Sequence, residues 1–263
     1  MRTGILLLVT DEYQKYADRF IQSARKYFMP GEDKMFFLLT DYRKNRKHPI
    51  VEVDLGLKDV MTIEIEHKPS PHITLLRYEL FEKVFAWEDF IYSDAFVQNA
   101  AIRKFYKPID YYFYFDIDTY FCATVHPEEV LSNLVAVQHC GFIGKPGTFE
   151  MKQTASTSYV TQAEAAGATY YGGGMQGGHK DVYMKACRTL KKMINADLAK
   201  GIIPVWHDES AWNRYLIDNP PTKVLTPSFH YPEESHGDYY RQLWADAGLT
   251  FEPKLKLINK YAK

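Results

Sequence analysis

Asp116 and Asp118 stand two residues apart at the end of an unbroken aromatic run, Tyr111 to Phe115. Residues two apart on an extended chain face the same side. Both carboxylates are therefore placed to meet one hard cation, Mn2+ or Mg2+, that keeps coordination positions open for substrate phosphates. Ligands of α/β folds gather at the carboxyl ends of strands, and this pair falls at such an end. The triplet by itself is a weak signal, because a chain with this much Asp spells it by chance and a solvated strand end looks the same.

Phosphoryl transfer is a rival reading of the same string. Phosphatases of the haloacid-dehalogenase type place D-x-D after an apolar strand, with the first Asp as nucleophile. They want a small Thr or Val two residues past the second Asp, where this chain has Tyr120, and they carry the motif near the start rather than mid-chain.

A second cluster is Trp206-His-Asp-Glu-Ser210, which follows the apolar Ile202 to Val205 and makes a poor core. It reads as a helix start, with Asp208 or Ser210 as N-cap and Glu209 in the first turn. It also suits sugar chemistry. A glycosyl transfer that retains anomeric configuration wants a carboxylate beneath the anomeric carbon, as nucleophile or as stabiliser of an oxocarbenium-like ion pair. Trp206 offers an apolar platform for a sugar ring and His207 a hydrogen-bonding partner for a hydroxyl. Third is the glycine run Gly172 to Gly178, where missing side chains let backbone approach a ligand closely. Tight packing or a loop accounts for it equally well.

The elements that must hold these groups follow a β-α-β order, which argues for an α/β fold with a mixed or parallel sheet. Gly4 to Val9 is a continuous apolar run, as in a strand covered on both faces. Tyr13, Ala17, Phe20, Ile21 and Ala24 recur at helical spacing and predict a helix from Tyr13 to Phe28. Met35 to Leu39 reads as a second strand and Ile50 to Val53 as a third. Helices are expected over Ile73 to Trp87, over Ser93 to Tyr106, from Lys180 to Ala199 after the glycine run, and from Ser210 to Ile217, where Asn219-Pro-Pro221 ends it. The lysine-rich segment from Lys254 carries weak structural signals. No G-x-G-x-x-G or P-loop follows the first strand, so a bound nucleotide would need a metal ion to neutralise its phosphates. A chain of 263 residues is long enough for one large domain, and 46% hydrophobic residues suffice for a full core. A net charge of −1 gives no field that favours nucleic acid or an acidic membrane. The three cysteines lack metal-ligand spacing, which fits a reducing compartment. The run Ile5 to Val9 is too short for a signal or a membrane span, so the chain is expected to be soluble and cytoplasmic.

Longer strings resemble glycosyltransferase family 6. They are Tyr170-Tyr171-Gly-Gly-Gly-Met-Gln-Gly-Gly178, Gly201-Ile-Ile-Pro-Val-Trp-His-Asp-Glu-Ser210, Asn213-Arg-Tyr-Leu216 and Pro221-Thr-Lys-Val-Leu-Thr-Pro227. Shorter matches are Tyr27 to Gly31, Leu38 to Asp41, Asp110-Tyr-Tyr and His139-Cys-Gly-Phe142. The family holds the histo-blood-group A and B transferases, the α-1,3-galactosyltransferases and the Forssman synthases. The resemblance implies a single GT-A catalytic domain, a Rossmann-like mixed sheet flanked by helices. Its nucleotide-binding half would end in D-x-D near residue 121, and its acceptor half would carry a C-terminal tail lid. It also implies a UDP-sugar donor (galactose or N-acetylgalactosamine), α-1,3 transfer to a galactose-terminated glycan with retention, and Mn2+ or Mg2+ on Asp116 and Asp118.

Residue by residue, Glu209 matches the catalytic carboxylate. Asp208 and Ile117 match donor contacts, as do Leu8, Val9, Thr10 and Tyr13 of the uridine-binding segment. Trp206, His207 and His139 match acceptor contacts. Gly172, Gly173 and Gly174 fall where the family selects its donor, and small residues there resemble N-acetylgalactosamine users. Arg77 resembles the arginine that pairs with the donor-binding Asp, although an insertion between Glu82 and Lys107 lengthens its distance to Asp116. Lys254, Lys256, Lys260 and Lys263 are candidates for a diphosphate lid. Many bacterial relatives replace D-x-D by N-x-N; this chain keeps both Asp, so metal dependence is expected. The alternatives left open are a sugar-binding protein of the same fold that has lost turnover, and the phosphatase.

Overall fold

The computed structural model describes residues 1–41, 59–91 and 107–259. Strands β1 (Arg2–Val9) and β2 (Asp33–Thr40) pair in parallel, with Val9 opposite Thr40. Between them the expected helix splits in two. Asp11 takes a positive φ of 48°, the chain makes 3-10 turns over Asp11–Tyr16, and only then does α1 (Ala17–Tyr27) begin. Strand β3 (Val60–Glu64) adds to the outer side of β2. The strand expected at Ile50 to Val53 and the helix expected at Ser93 to Tyr106 lie outside the described residues.

Helices α2 (His72–Leu75) and α3 (Arg77–Ile91) replace the single helix expected from Ile73. Then come β4 (Tyr111–Phe115), β5 (Thr119–Phe121), α4 (Pro127–Val130), β6 (Val135–Gln138) and α5 (Gln162–Ala165). The second half continues with β7 (Tyr171–His179), α6 (Lys180–Leu198), α7 (His207–Asp218) and β8 (Lys223–Leu225). It closes with β9 (Tyr231–Pro232), α8 (Glu234–Asp246) and β10 (Leu255–Leu257). The main sheet runs β3-β2-β1-β4-β7-β6-β8; a smaller one runs β5-β10-β9. From β3 to β4 the pairing is parallel, and β7 is antiparallel to both its neighbours. Strands from both sides of Asp116 thus share one mixed sheet with helices on both faces. No helix among the described residues is long and apolar enough to cross a membrane.

The apolar run of β1 is divided between two cores by the alternation of an extended chain. Leu6 and Leu8 face Tyr78, Phe81 and Phe85 of α3 and Tyr183 of α6. Ile5, Leu7 and Val9 face Ala17, Phe20, Ile21 and Ala24 of α1. Each buried Leu, Ile, Val or Phe among them contributes about 1.5–3 kcal/mol. Beneath β4, Phe28 packs its ring on Phe113, Phe115 and Phe121 at centroid distances of 5.7, 5.4 and 4.9 Å. Edge-to-face and stacked pairs of this kind add about 0.5–1.5 kcal/mol each. They make β4 a rigid mount for whatever follows it.

The glycine run is neither a loop nor a helix start. It is β7, buried in the sheet between β4 and β6. Neighbouring atoms occupy the space its side chains would need. A Cβ on Gly177 would fall 2.4 Å from the Phe113 ring, and one on Gly178 would fall 2.1 Å from the Asn133 carbonyl oxygen. Glycine is weak in a strand unless another group approaches closely, and here several do.

Candidate active site

The pairing of β4 with β7 extends one residue past the strand, because the Asp116 N–H donates to the Gly174 carbonyl over 2.8 Å. The Asp116 side chain accepts the Tyr114 hydroxyl at 2.5 Å, and Thr119 closes the turn by donating to the Asp116 carbonyl at 2.7 Å. A Cβ on Gly174 would lie 2.9 Å from Oδ2 of Asp116, so the carboxylate rests in a notch that only glycine leaves open. Asp118 holds the other end of the turn. Its carbonyl accepts the Ile258 N–H at 2.9 Å, which ties the C-terminal segment to the D-x-D.

Arg77, 4% exposed at the start of α3, joins this pair to the second half of the chain. Its guanidinium lies 3.0 Å from Asp208 and 3.7 Å from Asp116. It also donates to the Gly173 carbonyl at 3.1 Å and covers the Tyr114 ring at 4.4 Å. Burial opposes the charge, but Asp208, Tyr114 and Asp116 outweigh it and hold the guanidinium firmly protonated. Burial also pushes the Asp208 carboxyl up, to about 6, and Arg77 pulls against that rise. At neutral pH the pair is ionic. The longer gap between Arg77 and Asp116 therefore does not displace the arginine.

Helix α7 begins at His207, which takes a positive φ of 52°. Asp208 and Glu209 occupy its first turn and Trp206 sits at the N-cap position, where its N–H donates to the Ser210 hydroxyl at 3.0 Å. Neither Asp208 nor Ser210 is the N-cap, contrary to expectation. Asn213 fixes the rotation of the helix. It exchanges two 2.8 Å hydrogen bonds with the Tyr171 backbone and donates to the Glu209 carbonyl at 2.9 Å. That aims the Glu209 side chain at β7. One carboxylate oxygen accepts the Gly173 N–H and the other accepts the Tyr170 hydroxyl, both at 2.8 Å. Burial pushes the carboxyl up to about 7, with these two donors holding it down and Asp208 and Asp116 adding to the rise. Residues 172 to 174 thus form a floor. Gly173 meets Glu209 and Gly174 meets Asp116, while the space before Gly172 is filled by the His230 imidazole, 2.9 Å from where a Cβ would be. The room expected at Gly172 and Gly174 is therefore taken by the protein's own side chains.

Two clefts meet at Asp116 and Asp118. Leu8, Thr10, Tyr13, His67, Arg77 and Ile117 line the first, at the carboxyl end of β1. Val9 turns the other way, into the core over α1. His139, Cys140, His230 and residues 257–259 line the second. His139, Cys140 and His230 each bring a possible ligand atom within 4.8 Å of the others. Both rings, however, use Nδ1 to accept backbone N–H groups, and burial lowers both imidazole pKa values. They are packed as neutral groups. Trp206 is 47% exposed, an open apolar face at the head of α7, with His207 half-buried beside it. Lys254 is ion-paired with Glu129, and Lys256 lies in β10 near the Cys122 thiol. The tail meets the second cleft with Leu257, Ile258 and Asn259 rather than with these lysines. Lys260 and Lys263 are outside the described residues. Tyr170, Tyr114, Asn213 and His230 join the site without having been singled out. Asn213 alone had a readable signal, lying one helical turn after Glu209.

The profile of glycosyltransferase family 6 matches residues 1–241. The chain belongs to that family. Its mixed sheet with helices on both faces is the GT-A-like arrangement of such enzymes, and membership removes the phosphatase reading of D-x-D. This family 6 member is 29% identical to globoside alpha-1,3-N-acetylgalactosaminyltransferase 1 of Canis lupus familiaris, over 97% of this chain and 64% of that one. It is 26% identical to histo-blood group ABO system transferase 1 of Rattus norvegicus, over 89% and 62%. With the O-antigen biosynthesis glycosyltransferase WbnI of Escherichia coli it shares 26% identity over 89% of both chains. The chain spans about three-fifths of the length of the vertebrate globoside transferases it matches.

Proposed function

We propose that the protein moves N-acetylgalactosamine, or galactose, from a UDP-sugar to a galactose-terminated acceptor in α-1,3 linkage, with retention and with a divalent cation. The observation that carries this reading is the β7 floor. Adjacent glycines hold the carboxylate that would bind the cation, Asp116, and the carboxylate that would face the sugar, Glu209. The preference for N-acetylgalactosamine rests on the named activity of the globoside transferases and no longer on room at Gly172 and Gly174.

The residues present fit a cation. Asp116 and Asp118 border both clefts, and Asp116 lies in a notch that a single Cβ would close. Mn2+ or Mg2+ held there would neutralise the diphosphate of the leaving UDP. The first cleft, with Leu8, Thr10 and Tyr13, takes the nucleoside. Arg77 holds Asp208 charged and oriented, ready to accept hydroxyls of the donor sugar. Glu209 faces the anomeric carbon with one oxygen kept in place by the Gly173 N–H and the other by Tyr170. As a carboxylate it attacks that carbon or balances its positive charge while the acceptor hydroxyl enters. His139, Trp206 and His207 orient the acceptor.

The deciding experiment is UDP release from each UDP-sugar with lactose and with fucosyl-galactose acceptors, using the native chain and E209Q. The reading expects transfer by the native chain and about a hundredfold to thousandfold loss in the variant. Near-full activity of a folded E209Q would remove Glu209 from its role. An absence of UDP release with every donor would leave a sugar-binding protein.

A further inference from the structure

Of the three side chains that rest on the β7 floor, two belong to the machinery just described and the third, His230, does not. It lies between β8 and β9, is 8% exposed, and borders the second cleft. Its Nε2 edge is turned to Gly172, with Nε2, Cδ2 and Cε1 at 2.9, 3.0 and 3.3 Å from the position of an absent Cβ. Its ring centroid is 4.7 Å from that of His139.

We propose that His230 is a specificity-determining contact for the acceptor sugar. Its imidazole stands in for the side chain that position 172 lacks, and its Nε2–H donates to a sugar hydroxyl in the second cleft. The proposal rests on the glycosyl-transfer reading above for the identity of the ligand, and on geometry for the rest. Nδ1 accepts the Cys140 N–H at 3.5 Å, a long contact, which leaves the proton of the neutral ring on Nε2. Burial pushes the imidazole pKa down to about 4, so the ring is neutral at physiological pH and offers one donor. His139 is fixed in the same sense, with Nδ1 accepting the Gly141 N–H at 3.0 Å. Both neutral rings therefore carry their proton on Nε2, and both residues line the second cleft. With Nδ1 engaged and Nε2 protonated, neither ring is free to ligate a metal ion, and an N–H donor beside an apolar ring edge suits a hydroxylated sugar. A side chain at 172 would be pinned to the strand. His230 comes from a separate segment, so the shape of this wall is set by residues 230 and 172 together.

The test combines kinetics, binding and stability on the full chain. In H230A the acceptor KM rises about fivefold to tenfold, as for one lost neutral hydrogen bond, with a smaller change in kcat. In H230N, which keeps an N–H, part of that rise is recovered. Lactose affinity by titration calorimetry falls by a similar factor in H230A, a readout that needs no turnover. G172A unfolds at a lower temperature than the native chain, because its methyl meets the ring, and G172A/H230A unfolds above G172A, because the ring is gone. The proposal is overturned if H230A leaves the acceptor KM and lactose affinity within twofold, if only the donor KM moves, or if the double variant is no more stable than G172A. Should no UDP-sugar support transfer, the reading of the reaction fails. Calorimetry and the unfolding cycle would still decide the role of His230.

Discussion

The Tyr170 hydroxyl donates to the Glu209 carboxylate over 2.8 Å. Its ring is wedged among Phe142, Phe149 and His139, at 4.8, 5.1 and 5.9 Å, so Y170F should keep the packing and lose only the donor. That donor holds the Glu209 pKa down against burial. Without it the acid limb of the kcat profile should move up by about 1 unit, and kcat at pH 7 should fall roughly fivefold. A limb that stays in place in Y170F would mean the hydroxyl does not tune Glu209.

Glu209 should also cost stability when it ionises. Burial raises its pKa from an ordinary 4.5 to about 7, so between those values the folded chain holds the proton more tightly than the unfolded one. Stability therefore falls as pH rises through that window. E209Q escapes the penalty and should exceed the native chain by up to about 3 kcal/mol at pH 8, and by nothing at pH 4. Urea denaturation in EDTA at both pH values measures this. A gain at pH 4 equal to that at pH 8 would contradict it.

Arg77 should be irreplaceable by an uncharged residue. R77M leaves Asp208 buried without its counter-charge, and breaking a buried pair in this way costs about 3–5 kcal/mol. R77K keeps the charge but not the planar fork that reaches Asp208, Asp116 and the Gly173 carbonyl together. It should fold, yet lose activity. Thermal unfolding and donor KM separate the two effects, and a fully active R77K would show that charge alone suffices.

Mn2+ should raise the unfolding temperature of the native chain. At a free concentration of about one hundred times Kd the gain is roughly 2.7 kcal/mol. D116N should abolish that gain. G174A should weaken it while retaining the fold, since the new methyl sits 2.9 Å from Oδ2 of Asp116 and displaces the carboxylate rather than removing it. A full Mn2+ response in G174A would sink the idea that this notch positions the ligand.

How much of this was legible depended on where each contact is encoded. β1 and β4 were readable because a strand buried on both faces must be apolar throughout, and each run ends in polar residues. The extended geometry expected for Asp116 and Asp118 stops at Phe115: the two Asp stand in the turn that follows β4, and from that turn both border the same two clefts. β7 was not readable, because glycine has little preference for a strand. It is one because the Phe113 ring and the Asn133 backbone fill the space beside it. The start of α7 was misplaced because Trp206 lacks the short polar side chain that marks a cap. The Arg77 contacts came within reach only through resemblance, since nothing local distinguishes this arginine. His230 was invisible, because its meaning lies in an atom missing from Gly172.

The hydrogen bond from Asp116 to the Gly174 carbonyl and the one from the Gly173 N–H to Glu209 make β7 a gauge block. In the proposed reaction the span from a cation at Asp116 to a sugar facing Glu209 would be set by consecutive peptide units, which cannot stretch. Substitution can change what rests on that strand, and so which sugars are welcome. It cannot change the spacing. In the proposed reaction, variation around the block would be free to explore new substrates while the span between the two carboxylates stays fixed.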